Sequence, residues 1–115
     1  MTVTLYGLKT CDTCRKAKKA LEAAGKTVTF VDIRGDDVTD RDILRWADDA
    51  GWETLLNTRS TTWRGLSDRV KKDVDEDKAL KLMNKHRALM KRPVIEWGQE
   101  VFTGWKKDVQ DALLG

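Results

Sequence analysis

Apolar and polar residues alternate in two short segments near the N-terminus, a pattern typical of β-strands. Both segments, Thr2–Tyr6 and Thr27–Ile33, are rich in β-branched residues. Between them, small and apolar residues recur at helical spacing from Cys11 to Ala24, and Gly25 follows as a C-terminal cap. The pattern therefore predicts a β-α-β unit, in which the crossover makes the two strands parallel.

The middle of the chain has the periodicity of helices rather than of strands. Thr39 is predicted to cap a helix that ends at Gly51, and Asp42 completes a capping box with it. A polar loop over Asn57–Thr62 is expected between short helical pieces. A further helix is predicted over Asp75–Leu89. Its apolar face would carry Ala79, Leu82, Met83, His86 and Met90.

The period changes again after Pro93, the only proline of the chain. Val94–Trp97 and Val101–Thr103 flank the segment Gly98–Glu100, which predicts a tight β-hairpin. A last helix is expected to follow, with one side formed by Trp105, Val109, Ala112 and Leu113. The predicted order is thus β-α-β, a helical insertion, and then β-β-α.

The composition limits the class of protein but does not indicate its function. The 115 residues are enough for about one domain. Hydrophobic residues make up 40% and charged residues 36%, which indicates a soluble globular protein. The net charge of +3 is too small to indicate a nucleic-acid partner. The N-terminus lacks the pattern of a signal peptide and no segment is apolar enough for a membrane span, so the expected location is the cytoplasm.

Both cysteines lie in one Cys-x-x-Cys motif, where the predicted first helix begins. Helix N-termini carry unpaired N–H groups and positive potential, so a thiolate at Cys11 is stabilised there. Lys9 and Arg15 are expected to act in the same direction. Cys14 lies one turn later on the apolar face of the helix. We therefore expect Cys11 to be an exposed nucleophile, and Cys14 to be a buried thiol that resolves adducts on Cys11.

Three alternatives to a redox site exist for this dithiol. A structural disulfide would close too short a loop to stabilise the fold much. A zinc site needs two more ligands, and His86 is the only histidine, so no metal site is expected. The two cysteines could also be an inert buried pair. A thiol–disulfide site is favoured because a Cys-x-x-Cys within β-α-β matches a thioredoxin-like motif. For His86 itself, a structural role is favoured.

Arginines provide the candidate groups for binding an anionic substrate. Arg92 precedes Pro93, and a cis proline at this point of a thioredoxin-like fold would carry Arg92 to Cys11. Guanidinium groups bind oxyanions and carboxylates through paired hydrogen bonds, which suits an oxyanion or an anionic peptide such as glutathione. For each arginine, a solvated surface position is the open alternative. The other candidates for this role are Arg15, Arg59 and Arg64.

Three segments of the chain together resemble the ArsC family, which holds glutaredoxin-coupled arsenate reductases, Spx regulators and YffB-type proteins. The resemblance covers nearly the whole chain and is strongest to the YffB-type branch. It implies one ArsC-like domain over residues 1–115, with a thioredoxin-like core in 1–34 and 91–115 and a helical insertion in 35–90. The segments are Leu5–Ala17, Gly51–Leu66 and Lys91–Val94.

The resemblance also implies an activity and the residues for it. It implies a thiol-dependent oxidoreductase with no tightly bound cofactor, in which Cys11 is the nucleophile and glutathione or a glutaredoxin is the co-substrate. Arg92 matches the arginine before the family's cis proline, and Arg59 matches an arginine of the helical part. The arsenate reductases typically have Ser at the position of Cys14. They also carry a further arginine on the last strand, which Glu100–Gly104 lacks.

An Spx-like role is the alternative that the same resemblance offers. Spx proteins carry a Cys-x-x-Cys followed by Arg, and they act by binding RNA polymerase without turnover. This chain resembles them in Cys11–Ala17 and in Thr58–Ser60. The alternative is therefore a redox-sensing regulator whose partner is RNA polymerase.

Overall fold

A mixed four-stranded sheet organises the part of the chain that carries the cysteines. The computed structural model describes residues 2–115. The strands lie in the order β2-β1-β3-β4, with β1 and β2 parallel and β3 antiparallel to both of its neighbours. The predicted β-α-β and β-β pairings are confirmed, and the fold is an α/β fold of the thioredoxin-like type. The strands are β1 (Thr2–Gly7), β2 (Thr27–Asp32), β3 (Val94–Trp97) and β4 (Glu100–Thr103).

The loop between β3 and β4 is one residue shorter than predicted. Glu100 pairs with Trp97 and belongs to β4, so only Gly98 and Gln99 form the turn. Gly98 has a φ of +62°, which a glycine adopts without steric cost. The two-residue loop matches the twist of the flanking strands, which favours this turn over a wider one.

Two helices complete the sheet-containing unit, α1 (Asp12–Ala23) and α7 (Lys107–Leu114). Helix α1 contacts β1, β2 and α7. The apolar face of α1 is buried, as the helical spacing predicted. The core of this unit consists of Val3, Leu5, Cys14, Ala17, Leu21, Ile95, Val109 and Leu113.

The last helix begins later than the sequence pattern predicted. Trp105 precedes α7 and packs against the core from the connecting segment, and Ala112 is exposed rather than buried. Gly104 turns the chain with a φ of +79°, and Lys106 is still extended where it caps the helix. The side-chain amide of Gln110 donates a hydrogen bond to the Trp105 carbonyl at 2.9 Å. The helical spacing of apolar residues therefore extends back to Trp105, although the backbone becomes helical only at Lys107.

The chain divides into two compact units, and the second of them is helical. Residues up to Val38 join Arg92–Gly115 in the first unit, and Thr39–Lys91 form the second. The helical insertion thus lies between β2 and β3, as predicted. Its helices are α2 (Asp40–Ala50), α3 (Trp52–Leu55), α4 (Thr61–Arg64), α5 (Asp68–Lys71) and α6 (Glu76–Lys85), followed by a 3₁₀ turn over Arg87–Leu89.

Side-chain caps begin most of these helices. The predicted capping box is confirmed, since Thr39 accepts from the Asp42 N–H while the Asp42 carboxylate accepts from the Thr39 N–H. Ser60 accepts from the Trp63 N–H at 3.1 Å and starts α4. Helix α4 takes in Thr61 and Thr62, so the polar segment predicted as a loop is partly helical. Such caps allow helices of one turn that would not form in isolation.

The helix predicted over Asp75–Leu89 ends earlier, at Lys85. The segment after it leaves the helix and pairs with an earlier part of the chain, where Leu56 and Met90 form an isolated antiparallel bridge. The Asn57 N–H donates to the Leu89 carbonyl at 2.7 Å. Leu89 and Met90 are fully buried in this pairing, which explains why the apolar pattern continued beyond the helix. Among residues 2–115, no helix combines the length and the apolar character needed to cross a membrane.

Candidate active site

The dithiol lies where the chain leaves β1 and enters α1. The Cys11 N–H donates to the Leu8 carbonyl at 3.0 Å, and the Cys11 carbonyl accepts from the Arg15 N–H at 3.1 Å. Cys11 is extended, with φ −86° and ψ 116°, and it occupies the N-cap position of α1. The prediction that Cys11 begins this helix is confirmed. Its side chain is half-buried rather than fully exposed, because it also packs against the core.

Cys14 lies one helical turn later and faces the interior. Its side chain is fully buried, as the apolar spacing predicted. The last residue of β1, Gly7, lies directly against it. A Cβ atom added at Gly7 would fall 2.5 Å from the Cys14 Sγ, closer than such atoms approach. The absence of a side chain at Gly7 therefore makes the space that the second thiol occupies.

The surroundings of Cys11 favour the thiolate. Burial raises its pKa, but the N–H and thiol of Cys14, the guanidinium of Arg92 and the Thr13 N–H together lower the pKa below its ordinary value. The Cys11 side chain makes no capping hydrogen bond of full geometry. The N–H groups of Thr13 and Cys14, in the first turn of α1, still favour the negative charge of the thiolate electrostatically. The lowered pKa is the property that a nucleophilic thiol requires.

Cys14 has the opposite character. Burial raises its pKa to about 12, the Leu8 N–H and the Arg92 charge oppose the increase, and the neighbouring Cys11 adds to it. Cys14 therefore keeps its proton at neutral pH and donates its S–H toward the Cys11 thiolate. The two cysteines therefore differ in the direction that their positions on the helix predicted: Cys11 ionises at a lower pH than Cys14.

Arg92 and Pro93 enter the site from the beginning of β3. The peptide bond between them is cis, which is the geometry considered from the sequence. Pro93 is buried, and its carbonyl accepts a hydrogen bond from the Gly104 N–H at 2.8 Å. Arg92 is half-buried, and its charge is felt by both thiols. The structure thus brings together the three residues predicted to be catalytic, Cys11, Cys14 and Arg92.

The other predicted binding arginines are placed differently. Arg15 forms an exposed ion pair with Asp12 on the first turn of α1. The positive charge that lowers the pKa of Cys11 is that of Arg92 and not, as expected from the sequence, that of Arg15. Arg59 and Arg64 are exposed and belong to the helical unit, before and at the end of α4. Their contact with a substrate at Cys11 stays a prediction.

His86 stays a predicted structural residue. It is half-buried at the end of α6, where its N–H donates to the Leu82 carbonyl at 2.7 Å. Among residues 2–115, no group of three or more His, Cys, Asp or Glu side chains is arranged to hold a metal ion. Two further residues of the site, Gly7 and Leu8, were not predicted from the sequence. The signal for Gly7 was a glycine at the end of a strand just before the dithiol.

Comparison with known proteins identifies the family. A model of the ArsC family matches residues 6–113. The chain belongs to the ArsC family. This confirms the resemblance found in the sequence.

Individual members of the ArsC family resemble the chain over nearly its whole length. A solved structure titled YffB protein is 37% identical and superposes with a TM-score of 0.90, covering 98% of this chain and 99% of the other. An arsenate reductase (ArsC) related protein from Brucella melitensis is also 37% identical, with a TM-score of 0.79 and coverage of 97% and 93%. The global transcriptional regulator Spx of Bacillus subtilis is 30% identical, with coverage of 92% and 82%.

The role of Arg92 in this ArsC-family site leads to a prediction about thiol reactivity. Replacing Arg92 with Gln removes the nearby positive charge, so the pKa of Cys11 rises and less thiolate is present at neutral pH. The rate of Cys11 alkylation at pH 7 is expected to fall about fivefold, as for the loss of one charge in a water-exposed site. Stopped-flow alkylation with iodoacetamide measures this rate.

Arg15 supplies the matched control for that experiment. Arg15→Gln removes the same charge from an exposed ion pair with Asp12, and it is expected to change the alkylation rate less than twofold. Equal effects of the two substitutions would show that net charge alone, and not the position of Arg92, sets the reactivity of Cys11.

Proposed function

We propose that this protein is a thiol-dependent reductase in which Cys11 is the nucleophile and Cys14 is the resolving thiol. One observation carries the proposal: the pKa of Cys11 is lowered at the N-terminus of α1, and one helical turn later the buried Cys14 thiol keeps its proton. A structural pair of cysteines has no need of such unequal ionisation. Membership of the ArsC family supports the same chemistry.

The first step is attack of the Cys11 thiolate on a substrate disulfide. A bond forms between Cys11 Sγ and one substrate sulfur, the substrate S–S bond breaks, and the leaving thiolate takes up a proton from water. Arg92 stabilises negative charge beside Cys11 before and during this step. With Pro93 next to it, Arg92 would also contact the anionic part of the substrate, and Arg15, Arg59 and Arg64 are further candidates.

The second step transfers the bond to Cys14. Once Cys11 is in a mixed disulfide it no longer carries negative charge, so one cause of the raised Cys14 pKa is removed. Cys14 then loses its proton to water and attacks Cys11 Sγ. The Cys11–Cys14 disulfide forms, and the second substrate thiolate leaves and is protonated.

Two molecules of glutathione, or a glutaredoxin, complete the cycle. They reduce the Cys11–Cys14 disulfide to two thiols and are themselves oxidised to a disulfide, so two electrons pass from glutathione to the substrate. No tightly bound cofactor is needed for this exchange. The substrate class is a mixed disulfide or a small oxyanion. The Arg92 guanidinium can bind the carboxylate of a glutathione adduct or the oxygens of an oxyanion.

Turnover with a small disulfide tests the proposal. We expect the protein to accelerate the reduction of hydroxyethyl disulfide by glutathione, followed through formation of glutathione disulfide with a coupled NADPH-dependent reductase. The signal should depend on glutathione concentration and on protein concentration. No acceleration by the full chain, with either hydroxyethyl disulfide or arsenate as substrate, would overturn the reductase proposal.

An Spx-like regulator is the second candidate, and the 30% identity to Spx of Bacillus subtilis favours it. Under this alternative the dithiol is a switch, and the protein binds RNA polymerase without turnover. The experiment that separates the two is binding to purified bacterial RNA polymerase by the reduced and the oxidised protein. Redox-dependent binding without turnover would select the regulator, and turnover without binding would select the reductase.

A further inference from the structure

The helical unit contains a cavity that the thiol chemistry does not use. Its volume is about 350 Å³, within the range of sites for small molecules. Residues of three consecutive one-turn helices line it: Trp52 and Glu53 of α3, Trp63 of α4 and Lys71 of α5. Leu56, which is buried, forms an apolar part of its wall. The whole lining belongs to the helical unit.

Two tryptophans line this cavity while remaining partly open to solvent. Trp52 is the first residue of α3, and Trp63 lies in α4, where its backbone N–H donates to the Ser60 hydroxyl. Both side chains are half-buried, whereas Trp46 of the same unit is fully buried in the core. Each indole therefore leaves part of its ring surface accessible at the edge of the cavity. Such surfaces are well suited to stacking against a planar ring.

Two groups of opposite charge accompany the indoles. Lys71 lines the cavity, and its side chain is only 25% exposed, which is unusual for lysine. Its carboxylate neighbour, Asp68, is fully exposed and lies 3.9 Å away, at the limit of an ion pair. Glu53 is exposed to solvent, lines the same cavity and supplies the negative charge. The cavity therefore offers one cation and one anion beside two aromatic surfaces.

We propose that this cavity binds a small zwitterionic aromatic molecule of the α-amino-acid class. The ring would stack on Trp52 and Trp63, the carboxylate would pair with Lys71, and the ammonium would pair with Glu53. A zwitterion offers a partner to both charged residues that line the cavity, whereas an uncharged aromatic ligand pairs with neither and a singly charged one pairs with only one. The zwitterion is the ligand that satisfies all four groups.

Binding of L-phenylalanine to the full chain tests this site. We expect the indole N–H signals of Trp52 and Trp63 to shift in ¹H–¹⁵N spectra as L-phenylalanine is added, while those of Trp97 and Trp105 stay in place. Lys71→Gln should weaken L-phenylalanine binding by about tenfold, as for the loss of one charge-assisted hydrogen bond. Lys72→Gln, which changes an exposed neighbour, should leave binding unchanged.

Two analogues of L-phenylalanine test which group of the ligand pairs with Lys71 and which with Glu53. Phenethylamine lacks the carboxylate, so it should bind less tightly than L-phenylalanine and be insensitive to Lys71→Gln. 3-Phenylpropanoate lacks the ammonium, so it should be insensitive to Glu53→Gln. The proposal is overturned if the Trp52 and Trp63 signals do not move with L-phenylalanine. Equal loss of binding in the Lys71 and Lys72 variants would overturn it as well.

Discussion

Replacement of Cys11 by Ser is expected to abolish glutathione-dependent reduction. A serine hydroxyl is not ionised at neutral pH, so the surroundings that lower the pKa of the Cys11 thiol cannot supply a nucleophile. We expect turnover with hydroxyethyl disulfide to fall by at least about 10³-fold. The free energy of unfolding should change little because the residue is half-buried at a helix N-cap, a position where serine is favoured.

Cys14→Ser is the matched variant, because it leaves Cys11 in place. The mixed disulfide formed on Cys11 can then no longer be resolved within the chain. Incubation with glutathione disulfide should give one glutathione adduct per chain, located on Cys11 by peptide mass spectrometry. Full turnover in Cys11→Ser, or the absence of a glutathione adduct on Cys11 in Cys14→Ser, would contradict the roles assigned to the two thiols.

Gly7→Ala is expected to disturb both the fold and the dithiol. The new Cβ would lie 2.5 Å from the Cys14 Sγ and 3.2 Å from its Cβ. Gly7 cannot easily retreat, because it pairs with β2 and its carbonyl accepts from the Ile33 N–H at 3.0 Å. Overpacking of this kind costs about 1–3 kcal/mol of unfolding free energy, measurable by urea denaturation. The displaced thiol should also stabilise the Cys11 thiolate less, which slows alkylation of Cys11.

Gly65→Ala provides the control for that substitution. Gly65 has helical dihedral angles, and an added Cβ would meet only backbone oxygens at 3.5 and 3.6 Å, an ordinary contact. We expect Gly65→Ala to leave stability unchanged or to raise it slightly. A Gly7→Ala protein as stable and as reactive as the parent would show that Gly7 does not shape the space around Cys14.

The elements that were predicted best from the sequence are those in which buried residues recur at one regular spacing. β1 and β2 alternate and lie beside each other, and α1 carries Cys14, Ala17 and Leu21 on its buried face. The capping box at Thr39 was also predictable, because its two partners are three residues apart. In each case the pattern that identifies the element lies within a short segment of sequence.

The missed features depend on partners that are distant in sequence or on very short elements. Helix α5 has only four residues and is started by the Ser67 hydroxyl, so it leaves no periodic signal. The end of α6 is set by the pairing of Met90 with Leu56. Such tertiary pairings override a continuing apolar pattern and are not visible in a local window of sequence.

For the site, the chemistry of the residues was predictable and their spatial relations were less so. The motif identified Cys11 and Cys14, and the burial of Cys14 followed from helical spacing. Which arginine acts on Cys11 depends on how β3 is placed beside β1, and there the nearby Arg15 was misleading. The contact of Gly7 with Cys14 likewise exists only once β1 and α1 are packed together.

The pH dependence of Cys11 alkylation tests the central claim most directly. In the full chain, the rate of iodoacetamide reaction at Cys11, located by peptide mass spectrometry, should follow the thiolate fraction. This rate should reach half its maximum below the pH of an ordinary thiol, about 8.5. Cys14 should remain unmodified throughout that range, because its pKa is raised to about 12. A midpoint for Cys11 at or above the ordinary value would contradict the account.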